Sequence, residues 1–123
     1  MLTLSPDLRR FVIAKIPSVS HLEALLLLRS TNAACSIGQL GARLYVSLPQ
    51  AIKIVDDLAT VGLAVHLGEN VQYLPKSEKL ARNVDELAEA YVRRLVEVTR
   101  LIHAANDKKA RRFADAFFMR KDS

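Results

Sequence analysis

Between Ser20 and Gln50 the sequence uses one local device three times, a serine followed three positions later by a glutamate or glutamine: Ser20 and Glu23, Ser36 and Gln39, Ser47 and Gln50. In such a capping box the serine oxygen accepts the N–H of the third helical residue. The glutamate or glutamine reaches back to the N–H of the cap, so two donors that a helix start leaves orphaned are satisfied together. Each serine also stands between an apolar residue and another at the fourth helical position: Val19 with Ala24, Cys35 with Leu40, Val46 with Ala51. Such pairs can act as hydrophobic staples. Three boxes that each open an apolar-periodic stretch predict three helix starts.

The first of these helices is predicted over about His21 to Arg29, apolar nearly all round and therefore central in the core. The second is short, about Ile37 to Leu44. The third runs from about Leu48 to Val61, with Pro49 in its first turn and Gly62 as a left-handed stop. Only Tyr45, Val46 and Ser47 separate the last two, which is the spacing of a helix-turn-helix. After Gly62 the period changes to two. Leu63, Val65 and Leu67 alternate with Ala64 and His66, Gly68-Glu69-Asn70 signals a turn, and Val71 and Tyr73 alternate with Gln72, which predicts a β-hairpin closed by Pro75.

From Ser77 to about Ala105 a stripe of Leu80, Val84, Leu87, Tyr91, Leu95, Val98 and Ile102 is spaced by fours and threes. One helix of that length would span about 40 Å, more than a small domain covers. Val84, Leu87, Tyr91, Leu95, Val98 and Ile102 are therefore expected to meet a second copy. Asn83 and Glu86 form a further candidate box at which the helix could restart. A basic helix is expected over about Lys108 to Arg120, and a short one over Pro6 to Ile16. The expected organisation is an N-terminal short helix in 1–17, a helix-turn-helix with its hairpin in 18–75, and a helical dimerisation segment in 76–123. The fold class is mainly α with a small β-hairpin.

The stretch Gln39-Leu40-Gly41-Ala42-Arg43-Leu44-Tyr45-Val46-Ser47, continuing through Ala51, Val55, Leu58, Gly62 and Leu63, resembles the winged-helix transcription factors of the MarR and PadR type. The likeness covers about residues 18–105, and the roles fit. Gly41 falls where two helices cross closely, Leu44 and Val46 point inward around the turn, and Leu58 and Leu63 fasten helix and hairpin to the core. The resemblance implies a homodimer on double-stranded DNA, with the third helix in the major groove. Around core positions Ala51, Val55 and Leu58, the exposed candidates are Ser47, Pro49, Gln50 and Lys53, with Arg43 as a backbone clamp. Gln50 could meet an adenine edge unless its capping box holds it, Lys53 guanine or phosphate, and Ser47 phosphate. The chain departs from the pattern at the wing tip, His66-Leu67-Gly68-Glu69-Asn70, which has no Lys or Arg. Winged helices also serve as protein-interaction modules. In that alternative the neutral wing and Ile52 form an apolar docking surface, or the basic tail grips a partner.

Charge bears on the choice. The net charge is +5 over 123 residues, which favours polyanions. Lys and Arg outnumber Asp and Glu by six to four up to Gly62, balance at six each from Leu63 to Asn106, and lead by six to three from Asp107 on. The surplus therefore sits mainly in the tail. There, Lys108, Lys109, Arg111 and Arg112 precede Phe113, Phe117 and Phe118, either as a basic amphipathic helix for a membrane or acidic partner, or with the phenylalanines packed on the dimer. Asp56 and Asp57 read as a solvated helix face. His21, His66 and His103 are scattered, and with Cys35 as the single cysteine no metal site is expected. Cys35 reads as a staple residue before it reads as a redox sensor. With no nucleophile–base set, phosphate loop or dinucleotide fingerprint, neither an enzyme nor a cofactor is expected. An effector ligand is not legible. One cysteine, no leader-like apolar stretch in Met1–Val12 and no membrane-length apolar run lead to the expectation of a cytoplasmic protein.

Overall fold

The computed structural model describes residues 4–107, which form a mainly helical unit with a small three-stranded antiparallel sheet. The order is α1 (Pro6–Lys15), α2 (Val19–Thr31), β1 (Cys35–Ser36), α3 (Ile37–Leu44), α4 (Leu48–Thr60), β2 (Ala64–Leu67), β3 (Asn70–Tyr73) and α5 (Glu78–Arg93). A sixth helix, α6, covers 95–107. The basic helix expected beyond it lies outside the described residues.

The serine signals are realised unevenly. Ser47 forms a complete box with Gln50, whereas Ser36 accepts from the Gln39 N–H. The first helix starts two residues before the expected place: Ser18, not Ser20, is its cap and accepts from the His21 N–H. Ser20 and Glu23 therefore lie inside α2, and the Val19–Ala24 staple is not built. Ser18 wins because its hydroxyl also meets the His21 ring, at 2.6 Å from Nδ1, which ties the cap to the core.

α3 and α4 cross at Gly41. A Cβ built there would sit 3.0 Å from the Ala51 Cβ and 3.4 Å from the Val46 carbonyl oxygen, so only glycine lets the helices approach this closely. The turn between them is closed by Val46 N–H donating to the Gly41 carbonyl at 3.0 Å. Ala51, Val55 and Leu58 of α4 are fully buried, as expected, with Ile54 beside them. Leu44 and Val46 are half-buried against the same core. Gly62, at φ 82°, turns the chain into the hairpin.

The hairpin loop is Gly68-Glu69, with the positive φ on Gly68 alone, as a type II′ turn requires. Leu63, just ahead of β2, is fully buried, but within the strand the pleat runs opposite to the apolar alternation of Val65 and Leu67. The register pairs Ala64 with Tyr73 and His66 with Val71. Ala64 and Val71 are buried, so that face is the inner one, and Leu67 is left half-exposed on the other. β1 pairs with β3 through Cys35–Val71 and Ser36–Asn70, and the Ile37 N–H donates to the Glu69 carbonyl, which fixes the hairpin to the start of α3.

The long stripe does not lie on one straight helix. The chain breaks at Arg94 (φ −139°, ψ 45°) and α6 folds back beside α1. The Leu4 N–H donates to Glu97 at one end and the Asn106 amide to the Pro17 carbonyl at the other, so the two helices run side by side in one direction. Val84, Leu87, Val98 and Ile102 are consequently buried inside the single chain and are not free to meet a second copy. Tyr91 is half-buried and Leu95 remains exposed. Asn83 and Glu86 lie within α5, which does not restart there. α1 is no separate appendage, since Leu8, Phe11 and Val12 join the same core. Among the described residues no single helix is long and apolar enough to cross a membrane.

The crossing has a direct test. Gly41→Val should lower stability by about 1–3 kcal/mol through overpacking, read as the urea midpoint. An unchanged midpoint would show that the two helices have room to spare at Gly41.

Candidate nucleic-acid interface

The turn and the first half of α4 carry four of the sequence-predicted residues, Ser47, Pro49, Gln50 and Lys53, and Arg43 lies near the end of α3. All five are exposed; Pro49, Gln50 and Lys53 border one cleft, whereas Arg43 borders a groove beside Leu27, Leu44 and Tyr91. Their polar atoms are unequally available. The Gln50 Oε1 accepts from the Ser47 backbone N–H at 2.9 Å and from the Ser47 hydroxyl at 3.2 Å. The capping box therefore holds both side chains, and the Gln50 amide NH₂ is what remains for an outside acceptor.

Lys53 is held from the other end. Its Nζ lies 3.3 Å from both carboxylate oxygens of Asp57, one turn further along. The second Asp57 oxygen also accepts from His21 Nε2 at 2.8 Å, and the His21 ring in turn meets Ser18 at Nδ1. The chain Ser18–His21–Asp57–Lys53 ties the start of α2 to the middle of α4. His21 is buried, the one polar side chain in that class among the described residues. A shallow cleft of about 400 Å³ opens beside it, lined by Ser20, Pro49, Gln50 and Lys53 among others.

Asp57 is therefore not the solvated face residue expected from sequence. Burial works to raise its pKa, but the hydrogen bonds from His21 and Lys53 outweigh it and hold the carboxyl below its ordinary value. Asp56 is engaged too, accepting from His66 Nε2 at 2.9 Å, so α4 is fastened to the hairpin by a second histidine–carboxylate contact. Sequence reasoning missed both pairs because each joins residues on different elements. Their only signal is two adjacent aspartates on a helix whose neighbours each carry a histidine.

Tyr45 was also missed as a site residue. It is 96% exposed and sits in the left-handed region at φ 57°. That conformation costs a residue with a Cβ roughly 1–2 kcal/mol. Asn32, the other non-glycine residue with positive φ among the described residues, is of a type that tolerates it. Beside Tyr45, Leu48 (55%) and Ile52 (42%) face solvent from α4. No carboxylate occurs between Glu23 and Asp56, so the charged side chains of α3, the turn and the first half of α4 are Arg43 and Lys53, both positive. The hairpin loop between β2 and β3 adds no lysine or arginine.

Cys35 is half-buried in β1, where burial pushes its thiol pKa up against the opposing influence of Arg43, a setting that disfavours the thiolate. Among the described residues no group of three or more His, Cys, Asp or Glu side chains is placed to hold a metal. No known protein family matches the chain, and no curated protein or solved structure matches it either.

The Asp57 network predicts an acid-side loss of stability. The folded pKa is depressed, so the carboxylate's contribution is complete above its unfolded pKa of about 3.9 and disappears as pH falls through the lower folded value. Urea unfolding of the wild type and Asp57→Asn should differ between pH 5 and 7, and the difference should shrink only as pH falls below about 3.9 and through the depressed folded value. A difference that stays constant as pH falls from neutral through the acid range would rule out the carboxylate charge as its source.

Proposed function

We propose that this chain is a winged helix-turn-helix protein that binds double-stranded DNA as a homodimer and regulates transcription. The observation that carries the reading is the α3–turn–α4 pair. Its crossing at Gly41 projects the first half of a thirteen-residue helix outward, free of carboxylates and backed by a hairpin that follows directly. In this reading α4 enters the major groove, Arg43 and Lys53 meet phosphates, Ser47, Pro49 and Gln50 lie at the groove edge, and the hairpin is the wing. Lys53 must leave Asp57 to reach a phosphate, so affinity per subunit is low and a dimer supplies the second set of contacts.

The second copy meets the chain at the bend between α5 and α6. Val92, Leu95 and Val96 are exposed there, and Tyr91 and Val92 line an apolar groove of about 610 Å³ shared with Leu26, Leu27 and Leu44. A ridge and a groove on one patch suit the self-complementary contact of a two-fold dimer. A second functional reading is a protein-interaction module, favoured by the exposure of Tyr45, Leu48 and Ile52.

Fluorescence-anisotropy titration of a duplex at several salt concentrations tests the first reading. Binding should weaken steeply with salt, and Lys53→Glu should both weaken it and flatten the log–log slope by about one per subunit. Absence of binding at low salt would favour the interaction module. Sedimentation should report a dimer in the wild type and a monomer in Val96→Asp. A wild-type monomer at micromolar concentration would remove the dimer from the account.

A further inference from the structure

We propose that the first half of α4 reads duplex DNA through the C5 methyl groups of thymine, with Leu48 and Ile52 as the reading side chains and Tyr45 against the sugar–phosphate edge. The proposal rests on the DNA-binding reading above and names what that site recognises.

The polar atoms expected to read bases are largely committed inside the protein. Gln50 accepts twice from Ser47 through its amide oxygen, the Ser47 hydroxyl caps α4, and Lys53 lies against Asp57. Along the first half of α4 the side chains that face outward without such ties are apolar: Leu48, Pro49 and Ile52. On the major-groove edges of the four base pairs the thymine methyl is the one apolar group. An apolar helix face in that groove therefore discriminates between sequences through this methyl.

The geometry supplies a spacing. Leu48 and Ile52 are four residues apart and share one side of α4. Such residues are about 6 Å apart along a helix axis. Base pairs rise about 3.4 Å. A helix laid along the groove thus sets the two side chains close to two base-pair steps apart, and each half-site should carry thymines at next-but-one positions on one strand or the two.

An apolar protein surface would also fit Leu48 and Ile52, but the surrounding charge favours a polyanion. No carboxylate lies between Glu23 and Asp56, and Arg43, near the end of α3 two residues before Tyr45, forms no ion pair among the described residues. Tyr45 supports the same choice. Its ring is almost wholly outside the fold and its backbone is held in a conformation that tyrosine disfavours. From the turn ahead of α4 its hydroxyl can donate to a phosphate while the ring covers a deoxyribose.

The test uses the full chain. A random-duplex selection at low salt yields a bound sequence, and anisotropy then compares it with duplexes in which deoxyuridine replaces each thymine in turn. The exchange removes one methyl group from the DNA and leaves the protein unaltered, so protein folding does not enter. Two positions per half-site should each lose about fourfold in affinity, the effect of one buried methyl. Leu48→Ala and Ile52→Ala, at exposed positions, should each abolish the loss at one of those positions. A duplex that binds equally well with uracil throughout overturns the proposal and leaves DNA binding standing. Failure of the selection to enrich any duplex overturns both.

Discussion

The close crossing of α3 and α4 at Gly41 is the contact on which the rest of the arrangement depends. The Ala51 Cβ lies 3.0 Å from where a Cβ on residue 41 would stand, and the turn is closed by the hydrogen bond from the Val46 N–H to the Gly41 carbonyl, so the two helices are held at a distance only glycine allows. The same closeness confines the connection to three residues and drives Tyr45 into a left-handed conformation. It turns the apolar side of α4 (Ala51, Val55, Leu58) inward and leaves Leu48, Pro49, Ile52 and Lys53 on the outside. One missing Cβ thus sets both the packing of the core and the surface offered by the site.

α4 divides into two halves of different character. Its first half has no carboxylate and carries exposed apolar side chains. Its second half carries Asp56 and Asp57, each bound to a histidine from another element, His66 on the hairpin and His21 on α2. These contacts orient the helix, and Asp57 also draws in Lys53. The cost of burying part of Asp57 is offset by the hydrogen bonds from His21 and Lys53, which hold the carboxyl below its ordinary value. Asp57 thus anchors α4 to α2 and at the same time holds the exposed lysine of the helix's middle turn.

Much of this was legible in the sequence where the cause is local. The Ser36 and Ser47 caps, the three-residue turn, the Gly62 stop and the Gly68 loop are decided by residues within a few positions of one another, and each appears where it was expected. Local rules failed where two local answers were equally good or where the deciding partner was distant. Ser18 and Ser20 both satisfy the cap requirement, and the ring of His21 selects Ser18. β1 is two residues long and exists through its pairing with β3. The break at Arg94 interrupts a stripe whose spacing never falters, because folding α6 onto α1 buries Val98 and Ile102 inside one chain, a gain that periodicity cannot register. For the site, exposure of Arg43, Ser47, Pro49, Gln50 and Lys53 followed from helix geometry, whereas the commitment of Lys53 to Asp57 and the exposure of Tyr45 needed the assembled fold.

The central claim, that the α3–α4 turn and the first half of α4 form the surface that meets DNA, is tested most directly by mapping backbone amide shifts during titration with a duplex. The largest changes are expected over Arg43–Lys53, smaller ones at the hairpin loop around Gly68, and little change along α1. Changes concentrated at the bend between α5 and α6, with the turn and α4 silent, would contradict it.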